Sequence, residues 1–598
     1  MLASVKKTSR PWLAATAAAT LIAAALVLAP AVAQAGNGCI THSASADGTA
    51  AHPFLIENIQ NLQCIRDNPD VYWESQHFKQ TADIDLSALP AWTSTIGTSA
   101  VAFTGSYDGN GKKITGLRVE LTGSRAGLFG TTNGATLSNL TLDNAVISIP
   151  QNSVTGYLGA LVGFAVNTEI TNVHSSGTVQ GQAAGGVAGL LQSGSRISSS
   201  SSSAVITGND QGAGGLVGFA DVGVSITDSS ASGSVIGDVY VGGLVGALRA
   251  NSEVFNSYAT GDVTGRPNYQ GTDEGGFVGG LVGVAIATAI SGNVIDQSFA
   301  TGDVTATDPR PPNDPTHCGA CVGGLVGVTY ADDTTTTPNV INDSFASGTV
   351  TGGVAAGGLI GRNMGRIEGS ATATAMIRNS YSRSAIRGPR SATGAILGAM
   401  TDGIFNTTDT FWNPTDADNA NVNSYGEEAT QAQMKTYAFY ANTPWDISDT
   451  SPTTKKWVSC AAHNDGYPFL QWYAAKQNWS CSPAPSNLFT VRLDGASTTA
   501  VSSLITVPGA GKAAQAGTFS ASSSAHSART ATACRDSKKI SKAGRYRLSC
   551  KLTAAARAAR RKHSIRVTLR TTFTPTGGSA RTVTRTVTLR KTSSGVTG

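Results

Sequence analysis

The chain has 598 residues, of which 40% are hydrophobic, 14% are charged and 69 are glycine, and its formal net charge is +5. After residue 35 no stretch approaches the roughly 20 apolar residues that cross a bilayer, which excludes a further membrane-spanning helix. The small net charge conceals an asymmetry. Residues 487–598 carry 20 Lys and Arg against Asp494 and Asp536, near +18, whereas residues 36–486 are near −16. Two parts of opposite charge indicate two roles.

Residues 1–35 are typical of a signal peptide. Lys6, Lys7 and Arg10 precede an Ala-rich apolar run, and an A-x-A sequence ends at Ala35. This pattern predicts export, cleavage after Ala35 and a secreted protein with no transmembrane anchor after cleavage, a retained anchor being the alternative. In an oxidising compartment the eight cysteines are expected to form local disulfides, although spacing alone does not fix their connectivity. The sequence-local couples are Cys39 with Cys64, Cys318 with Cys321, Cys460 with Cys481, and Cys534 with Cys550.

Residues 36–125 are predicted to form an N-terminal entry and capping module. Ile56, Ile59 and Leu62 have helical spacing before Pro69, so a short helix is expected to cover the open first edge of the fold that follows. Strands are predicted at ADIDLS (82–87) and at FTGSYDGNGKKITGLRV (103–119), with a tight reversal at DGNG.

Residues 126–398 form a repeat region. Glycine-rich pentads such as GGLVG end at Gly130, Gly163, Gly189, Gly218, Gly246, Gly283, Gly327, Gly361 and Gly398. Between pentads, an aliphatic residue is followed nine positions later by another. These pairs are Leu137 with Val146, Ile170 with Val179, Ile197 with Ile206, Ile226 with Val235, Val254 with Val263, Ile295 with Val304, Ile341 with Val350, and Ile377 with Ile386. A constant core with spacers of variable length is typical of stacked repeats.

Each repeat alternates in a way that predicts strands. From Val254, every second residue gives an aliphatic, then Asn256, then Tyr258, and this series predicts one face carrying an aliphatic, an amide or carboxylate, and usually an aromatic. Stacked parallel strands would place the Asn residues in a ladder that acts as structural glue. The expected fold class is all-β, a right-handed parallel β-helix with capping elements. A propeller is the competitor, but steps as short as 26 residues leave little room for a four-stranded blade.

The larger insertions between repeats fall at two fixed corners of successive rungs. They predict neighbouring lateral loops around residues 265–278, 306–322, 328–340 and 362–376, where a solenoid usually carries its recognition surface. Residues 399–481 are predicted to be an aromatic C-terminal cap, with carbohydrate stacking on its tryptophans as the alternative. Five tryptophans stand in this segment, namely Trp412, Trp445, Trp457, Trp472 and Trp479.

A linker at 482–486 precedes a basic module at 487–598, which is predicted to be a small β-sandwich-like domain with one short helix at 552–563. Strands are expected at LFTVRL, SSLITV, HSIRVTLRTTFTP and ARTVTRTVTLRK, and GRYRLSC is expected to lead into the helix. The positive charge suits binding of an anionic cell-wall polymer, a lipid surface or nucleic acid without sequence specificity. The alternative is a soluble β-domain whose charged strand faces are simply solvated.

The pentads AGLFG, GALVG, GGVAG, GGLVG and GGLIG, with blocks such as NSYATGDVTG, resemble the bacterial GLUG repeat family. This resemblance covers roughly residues 50–475 and implies a scaffold of secreted or surface proteins, including adhesins of the filamentous-haemagglutinin type and the non-catalytic parts of immunoglobulin A metallopeptidases. SKAGRYRLSCKLTAAARAA and FTPTGGSARTVTRTVTL in the final module resemble C-terminal β-domains of exported actinobacterial proteins.

Candidate chemistry is sparse. No His is followed by Glu, so the H-E-x-x-H zinc helix of those peptidases is absent, and His174 is interpreted as a packed side chain. Paired carboxylates would indicate a glycosidase or lyase, but Asp262 and Asp303 sit in a recurring TGDVT turn. The other repeat carboxylates considered are Asp143, Asp228 and Asp343.

The segment HCGAC at 317–321 is interpreted as a local disulfide in an inserted loop, because neither a thioredoxin setting nor a second cysteine couple for zinc is nearby. Asp332 and Asp333 are candidate calcium ligands, but the spacing of acidic residues around them matches neither the EF-hand loop nor the nonapeptide calcium repeat. The sequence therefore predicts no catalytic, cofactor-binding or metal-binding residues.

These features predict a non-enzymatic, adhesin-like, secreted or cell-surface protein, whose solenoid presents lateral loops and whose basic module associates with the envelope. The expected partners are an anionic cell-wall polymer or a surface glycan or protein of a host or neighbouring cell, with no specific nucleic acid. A β-helix carbohydrate-active enzyme or lectin is one alternative, and a purely structural or assembly protein is another.

Overall fold

The structure is a computed structural model that describes residues 39–40, 45–121, 124–149, 156–209, 211–266, 276–288, 291–306, 320–331, 337–365, 373–388, 392–401, 403–413, 425–481, 486–521, 529–576, 578 and 580–592. Parallel strands stack in a right-handed β-helix up to about residue 428, and an antiparallel sheet forms the basic C-terminal domain. The predicted fold class is confirmed. The predicted signal peptide at 1–35 lies outside the described residues.

Most rungs of the solenoid contribute strands to three parallel sheets. The long sheet has 28 strands, and most rungs give it two or three short ones. Its strands are Phe54–Ile56, His77–Gln80, Ile84–Asp85, Ser106–Thr115, Arg118–Glu120, Thr136–Ser148, Glu169–Gly181, Arg196–Ser198, Ser201–Ser202, Val205–Gly208, Ser225–Thr227, Ser230–Ala231, Val235–Gly237, Glu253–Phe255, Tyr258–Ala259, Val263–Gly265, Val294–Asp296, Phe299–Ala300, Val304–Ala306, Asn339–Asn342, Phe345–Ala346, Thr349–Gly352, Ala373–Arg378, Tyr381–Ser382, Ala385–Arg387, Ile404–Thr408, Phe411–Trp412 and Glu427–Glu428.

The second and third sheets have nine strands each. The second sheet contains Arg125–Ala126, Tyr157–Gly159, Ala183–Gly185, Gly212–Gly214, Tyr240–Gly242, Phe277–Gly279, Cys321–Gly323, Ala355–Gly357 and Thr393–Gly394. The third contains Phe129–Asn133, Val162–Val166, Ala188–Gln192, Val217–Asp221, Val245–Arg249, Val282–Ala287, Val326–Ala331, Ile360–Gly365 and Leu397–Thr401. The glycine pentads form the corner between these two sheets.

The paired aliphatic residues of each repeat lie inside the coil. Ile170 pairs in register with Ile197, and Val179 with Ile206, and all four side chains are buried. The predicted first pair, Leu137 with Val146, is wrong by one residue at its second member. Val179 of the next rung pairs with Ile147 and not with Val146. A register shift after Ser175 accounts for this difference, since the strand Thr136–Ser148 has one extra residue there.

The predicted single face breaks in the middle of each repeat. Asn256 has φ +49, and the equivalent residues also have positive φ, so the chain turns between Val254 and Tyr258. The aliphatic side chain therefore points into the core, and the aromatic side chain points out of the coil. Asn and Asp tolerate left-handed backbone better than most residues, which explains their recurrence here. These positive-φ positions are Asn139, Asn172, Ser199, Asp228, Asn256, Gln297, Asp343, Asn379 and Asp409.

The entry module begins the coil as expected. Helix α1 (Ile59–Asp67) is capped by the Asn58 side chain, and its Leu62 and Ile65 are buried against the first rungs; α2 (Pro69–Tyr72) follows. The predicted reversal at DGNG is wrong. The strand Ser106–Thr115 continues through this segment and pairs in parallel with Thr136–Ser148, so DGNG forms a bulge in one strand.

The predicted insertions come after strands of two sheets in chain order. Residues 267–275 and 307–319 follow strands of the long sheet, and residues 332–336 and 366–372 follow strands of the third sheet. These residues, which make up most of the predicted loops at 265–278, 306–322, 328–340 and 362–376, lie outside the described residues.

The cap contains a three-stranded sheet of Ile447–Ser448, Trp457–Val458 and Phe469–Leu470, with α3 (Gln431–Met434), α4 (Tyr437–Tyr440) and α5 (Gln471–Lys476). The basic domain has α6 (Ala554–Lys562) and one seven-stranded antiparallel sheet, called the terminal sheet below. Its order is Thr490–Ala496, Ala500–Val507, Gly544–Leu552, Arg529–Ile540, Gly511–Ala521, Ile565–Pro575 and Arg581–Leu589. Val491 of the first strand and Val583 of the last pack into one cluster, so the sheet curls around its core.

Three of the four predicted disulfides are present among the described residues. They join Cys39 to Cys64, Cys460 to Cys481, and Cys534 to Cys550. Cys321 is also disulfide-bonded, whereas Cys318 and His317 lie outside the described residues. Each bond closes a loop within its own region, and such a closure stabilises a fold mainly by restricting the unfolded chain.

Candidate functional site: a serine groove beside an aromatic column

The outward-facing aromatic residues form a continuous column along the long sheet. Tyr258, Phe299, Phe345, Tyr381 and Phe411 are paired in register on successive rungs. The first four rings are stacked face to face, with centroids 5.0, 4.7 and 5.0 Å apart. We call these five residues the aromatic column.

The cap lies along the side of the solenoid, on this column. The ring of Trp457 lies 6.1 Å from Phe345 and 6.0 Å from Tyr381, and the ring of Tyr473 lies 4.9 Å from Phe299. Trp457 is fully buried. The ring of Trp445 lies 6.4 Å from Tyr381. Both tryptophans therefore pack on the side of the rungs, which favours a packing role over carbohydrate stacking for these two.

Asp343 fixes the cap to the rungs. Its carboxylate is buried, and it accepts hydrogen bonds from Lys456 Nζ at 2.6 Å and from Trp457 Nε1 at 3.0 Å. Burial raises the pKa of the neighbouring Asp296, although Lys456 opposes the rise. A buried carboxylate is tolerated only with such donors, so Asp343 is a structural anchor.

Towards the N-terminus the column loses its rings. In the same register, Tyr258 pairs with Ser230, Ser230 with Ser201, and Ser201 with His174. The cap also ends near this point, where the Nζ of Lys476 lies 5.4 Å from the Tyr258 ring centroid. The result is an open groove of about 350 Å³, which we call the serine groove. It is lined by Thr141, Asp143, His174, Ser175, Ser176, Ser201, Ser202, Ser203, Ser230, Ser232, Tyr258 and Thr260.

A chain of hydrogen bonds runs into the groove across four rungs. Asn139 Nδ2 donates to Asp108 at 3.0 Å, and Asn172 Nδ2 donates to Asn139 Oδ1 at 3.0 Å. His174 Nε2 lies 3.1 Å from Asn172 Oδ1, and His174 Nδ1 lies 2.8 Å from Ser201 Oγ. Part of the predicted Asn ladder is therefore present, with a carboxylate at its end.

The carboxylate sets the direction of this chain. Because Asn139 donates to the Asp108 carboxylate and Asn172 donates to Asn139, Asn172 Oδ1 is left facing His174. His174 then carries its proton on Nε2, and Nδ1 accepts from the Ser201 hydroxyl. Burial lowers the pKa of His174, and the charge of Lys476 lowers it further, which favours this neutral form. The Ser201 oxygen is thereby left as an acceptor towards the groove.

The predicted carboxylates do not converge on one site. Asp143 accepts from Ser176 Oγ at 3.0 Å in the groove, Asp228 accepts from Asn256, and Asp262 accepts from Asp303 N of the next rung. Among the described residues that line the groove, Asp143 is the one carboxylate, so a two-carboxylate glycosidase mechanism cannot be assembled from them.

One cluster in the described part of the chain contains residue types that bind metals, but these residues already make other contacts. Cys460, His463 and Cys481 converge within 4.8 Å, but the two sulfurs form a disulfide and the His463 ring stacks on Trp479 at 4.6 Å. Metal binding needs thiolates, so the oxidised cluster does not supply a site. Asp332 and Asp333, considered for calcium, lie outside the described residues.

The sequence pattern did not reveal the groove. His174 is half-buried and faces the groove, whereas the sequence placed it simply as a packed side chain. The available signal was serine at the aromatic position of two successive repeats, namely Ser201 in the serine run at 198–203 and Ser230 in the next repeat. No helix in the described part of the chain combines the length and apolarity needed to cross a bilayer.

These features define a β-helix repeat protein with a lateral groove, and comparison with known proteins agrees with the repeat type. The family model described as the GLUG motif matches residues 155–180 and 237–264. The predicted GLUG-type repeats are confirmed at these two segments, which fall within stacked rungs of the coil.

Two curated relatives match at the sequence level. Halomucin of Haloquadratum walsbyi is 35% identical over 363 residues, which is 52% of this chain and 4% of that protein. A protein of Evansella cellulosilytica named as a Gly-rich membrane protein is 36% identical over 128 residues, 20% of this chain and 14% of that protein. The chain thus spans only a small part of each relative.

Two solved structures are also similar at low identity. One, described as an immunoglobulin A1 protease from Bacteroides ovatus, is 16% identical with a TM-score of 0.29, over 71% of this chain and 94% of that one. The other, described as an IgA1 protease, is 16% identical with a TM-score of 0.30, over 63% and 23%. At this level the likeness carries no argument about activity.

Proposed function

We propose that the chain is a secreted, non-catalytic, adhesin-like surface protein, related in its repeats to proteins of the filamentous-haemagglutinin type. Its solenoid presents a lateral binding surface, and its basic domain, of the kind found on exported actinobacterial proteins, holds it to an anionic envelope polymer. The names of the two relatives, a mucin and a membrane protein, support a place at the cell surface. The observation that carries the proposal is the distribution of charge on the terminal sheet.

One face of the terminal sheet is basic and exposed. Ala516 pairs with Arg535 on one side and Arg570 on the other, and Arg535 pairs with Lys551, so three cations lie in one row. Two rows further on, Lys512 pairs with Lys539. All five are exposed, while the opposite face buries residues such as Phe519. We call Lys512, Arg535, Lys539, Lys551 and Arg570 the basic face.

This geometry suits a polyanion. Arg535 and Arg570 are two strands apart, roughly 10 Å, and the small Ala516 side chain between them leaves a shallow depression lined by Ser537 and Thr572. Cations spaced in this way neutralise successive charges of a polymer and release its counterions, and such binding weakens as salt increases.

The test uses the full chain on purified bacterial cell walls and on immobilised polyphosphate, over a series of NaCl concentrations. We expect binding at low salt that falls as salt rises, and on the order of tenfold weaker binding for the double variant Arg535→Glu/Arg570→Glu. The matched control is Arg581→Glu/Arg585→Glu, which has the same change in charge. In the register of the last strand its residues pair with Phe573 and Leu569, and therefore lie on the other face.

Equal losses in the two double variants would show that net charge alone, and not the basic face, drives association. Absence of binding by the wild-type chain at low salt would remove the envelope role entirely.

A further inference from the structure

We propose that the serine groove is a glycan-binding site, in which one pyranose ring of the glycan continues the aromatic column against Tyr258. This inference goes beyond the proposed surface role, because it assigns a ligand class to a site on the solenoid that is separate from the basic face. Three properties of the groove lead to this proposal. They are its shape, the hydrogen-bonding groups that line it, and the fact that its strands are already paired on both sides.

The shape follows from the register of the column. Phe299 stacks on one face of the Tyr258 ring, and the next two positions towards the N-terminus are Ser230 and Ser201. With strands about 4.8 Å apart, His174 and Tyr258 are roughly 14 Å apart along the column. The space between them has the width of two ring positions. Because Phe299 covers the other face of Tyr258, the exposed Lys476 ammonium lies over the face towards the groove, and a flat ring stacks there when this flexible side chain moves aside. Stacking against an aromatic face is how proteins hold the apolar face of a sugar.

The hydrogen-bonding character of the groove suits hydroxyl groups. The Ser201 proton is directed to His174, and the Ser176 proton to Asp143, so the groove presents Ser201 Oγ and Asp143 as acceptors. Lys476, exposed at the Tyr258 end, is a donor. A hydroxyl both donates and accepts, so the hydroxyl groups of a sugar can donate to Ser201 Oγ and Asp143 and accept from Lys476. The Asp143 carboxylate and the Ser201 oxygen disfavour a phosphate or sulfate in the middle of the groove.

The backbone state disfavours a peptide ligand. An extended peptide gains affinity by adding a strand to an open sheet edge. The groove runs across the rungs, and its strands already pair with the rung on either side, as Ser201–Ser202 does with both Glu169–Gly181 and Ser230–Ala231. Recognition must therefore come from side chains, which is typical of glycan sites on a rigid scaffold.

The test is titration of the full-length protein with cellotriose, chitotriose, maltotriose and mannotriose by calorimetry, preceded by a glycan array. We expect at least one trisaccharide to bind. Ser230→Phe places a ring in the groove and extends the aromatic column, so binding is expected to fall at least tenfold while the thermal midpoint stays equal or rises. The matched control is Val205→Phe, which adds a ring at an exposed position of a neighbouring strand, outside the groove, and should bind like the wild type.

A second variant separates binding from folding. Ser201→Ala removes one acceptor without adding bulk, and about fivefold weaker binding is expected, together with a changed ¹⁵N signal of His174 Nδ1. Wild-type failure to bind any array glycan, or equal binding by Ser230→Phe, would overturn the proposal. Because both readouts are independent of salt and of cell walls, they distinguish failure of this site from failure of the basic face.

Discussion

Replacing Trp457 by alanine is expected to detach the cap from the side of the solenoid. Trp457 is fully buried, contacts Trp445 at 4.7 Å between ring centroids, and donates its indole proton to buried Asp343. Removal of a buried Trp side chain costs about 3–5 kcal/mol, and here it also leaves the Asp343 carboxylate with one donor fewer. The free energy of opening the cap should fall by that amount.

The measurement is limited proteolysis followed by mass spectrometry, with thermal unfolding beside it. We expect rapid cleavage within residues 425–481 of the variant, with the rungs before Tyr258 still protected. Tyr437→Ala is the matched control, since Tyr437 is an exposed aromatic residue of the same cap. Cleavage of both variants at the wild-type rate would mean that the column holds the cap without Trp457.

The coil could be predicted from the sequence because each repeat carries the whole pattern within its own few tens of residues. The buried aliphatic pair and the glycine corner recur in every rung, and stacking in register follows from repetition alone. The same locality explains the missed strands at Gly511–Ala521 and Arg529–Ile540. The first is rich in Ala and Gly, residues of low strand propensity, and its pairing partners on either side decide its conformation.

The direction of the side chains could not be read from alternation. One positive-φ residue such as Asn256 reverses the faces of the residues that follow it, and propensity alone does not reveal whether an Asn adopts that conformation. This reversal places Tyr258 outside the coil and creates the column on which the cap folds back.

The buried serines show the same limit. Ser229 Oγ donates to Thr227 O and accepts from Ser200 N of the preceding rung, and the pattern repeats along the coil. In the sequence these serines are indistinguishable from those of the groove, for example Ser230, because one lies inside the coil and the next outside. The candidate site therefore required the register of the rungs as well as the residue types.

Replacing Gly242 by alanine is expected to disrupt the stacking of neighbouring rungs. A Cβ atom at this position would lie 1.9 Å from the Val245 carbonyl oxygen and 2.7 Å from the Gly283 backbone nitrogen. Both atoms are backbone, so relief requires movement of two rungs, and the free energy of unfolding should fall by about 3 kcal/mol or more. The equivalent glycines of other rungs are equally confined, namely Gly185, Gly214, Gly279, Gly323 and Gly357.

Gly134→Ala provides the contrast, because Gly134 has φ +69 but a Cβ atom there would meet no neighbouring atom within 4 Å. It should cost only about 1 kcal/mol of backbone strain. Thermal and denaturant unfolding of both variants, with hydrogen exchange of the rungs around Val245, compares the two effects. If Gly242→Ala proves no more damaging than Gly134→Ala, close packing at the corner is not what retains the pentad glycines. If Gly242→Ala proves the more damaging, as expected, they are retained because the corner between the second and third sheets leaves no room for a side chain.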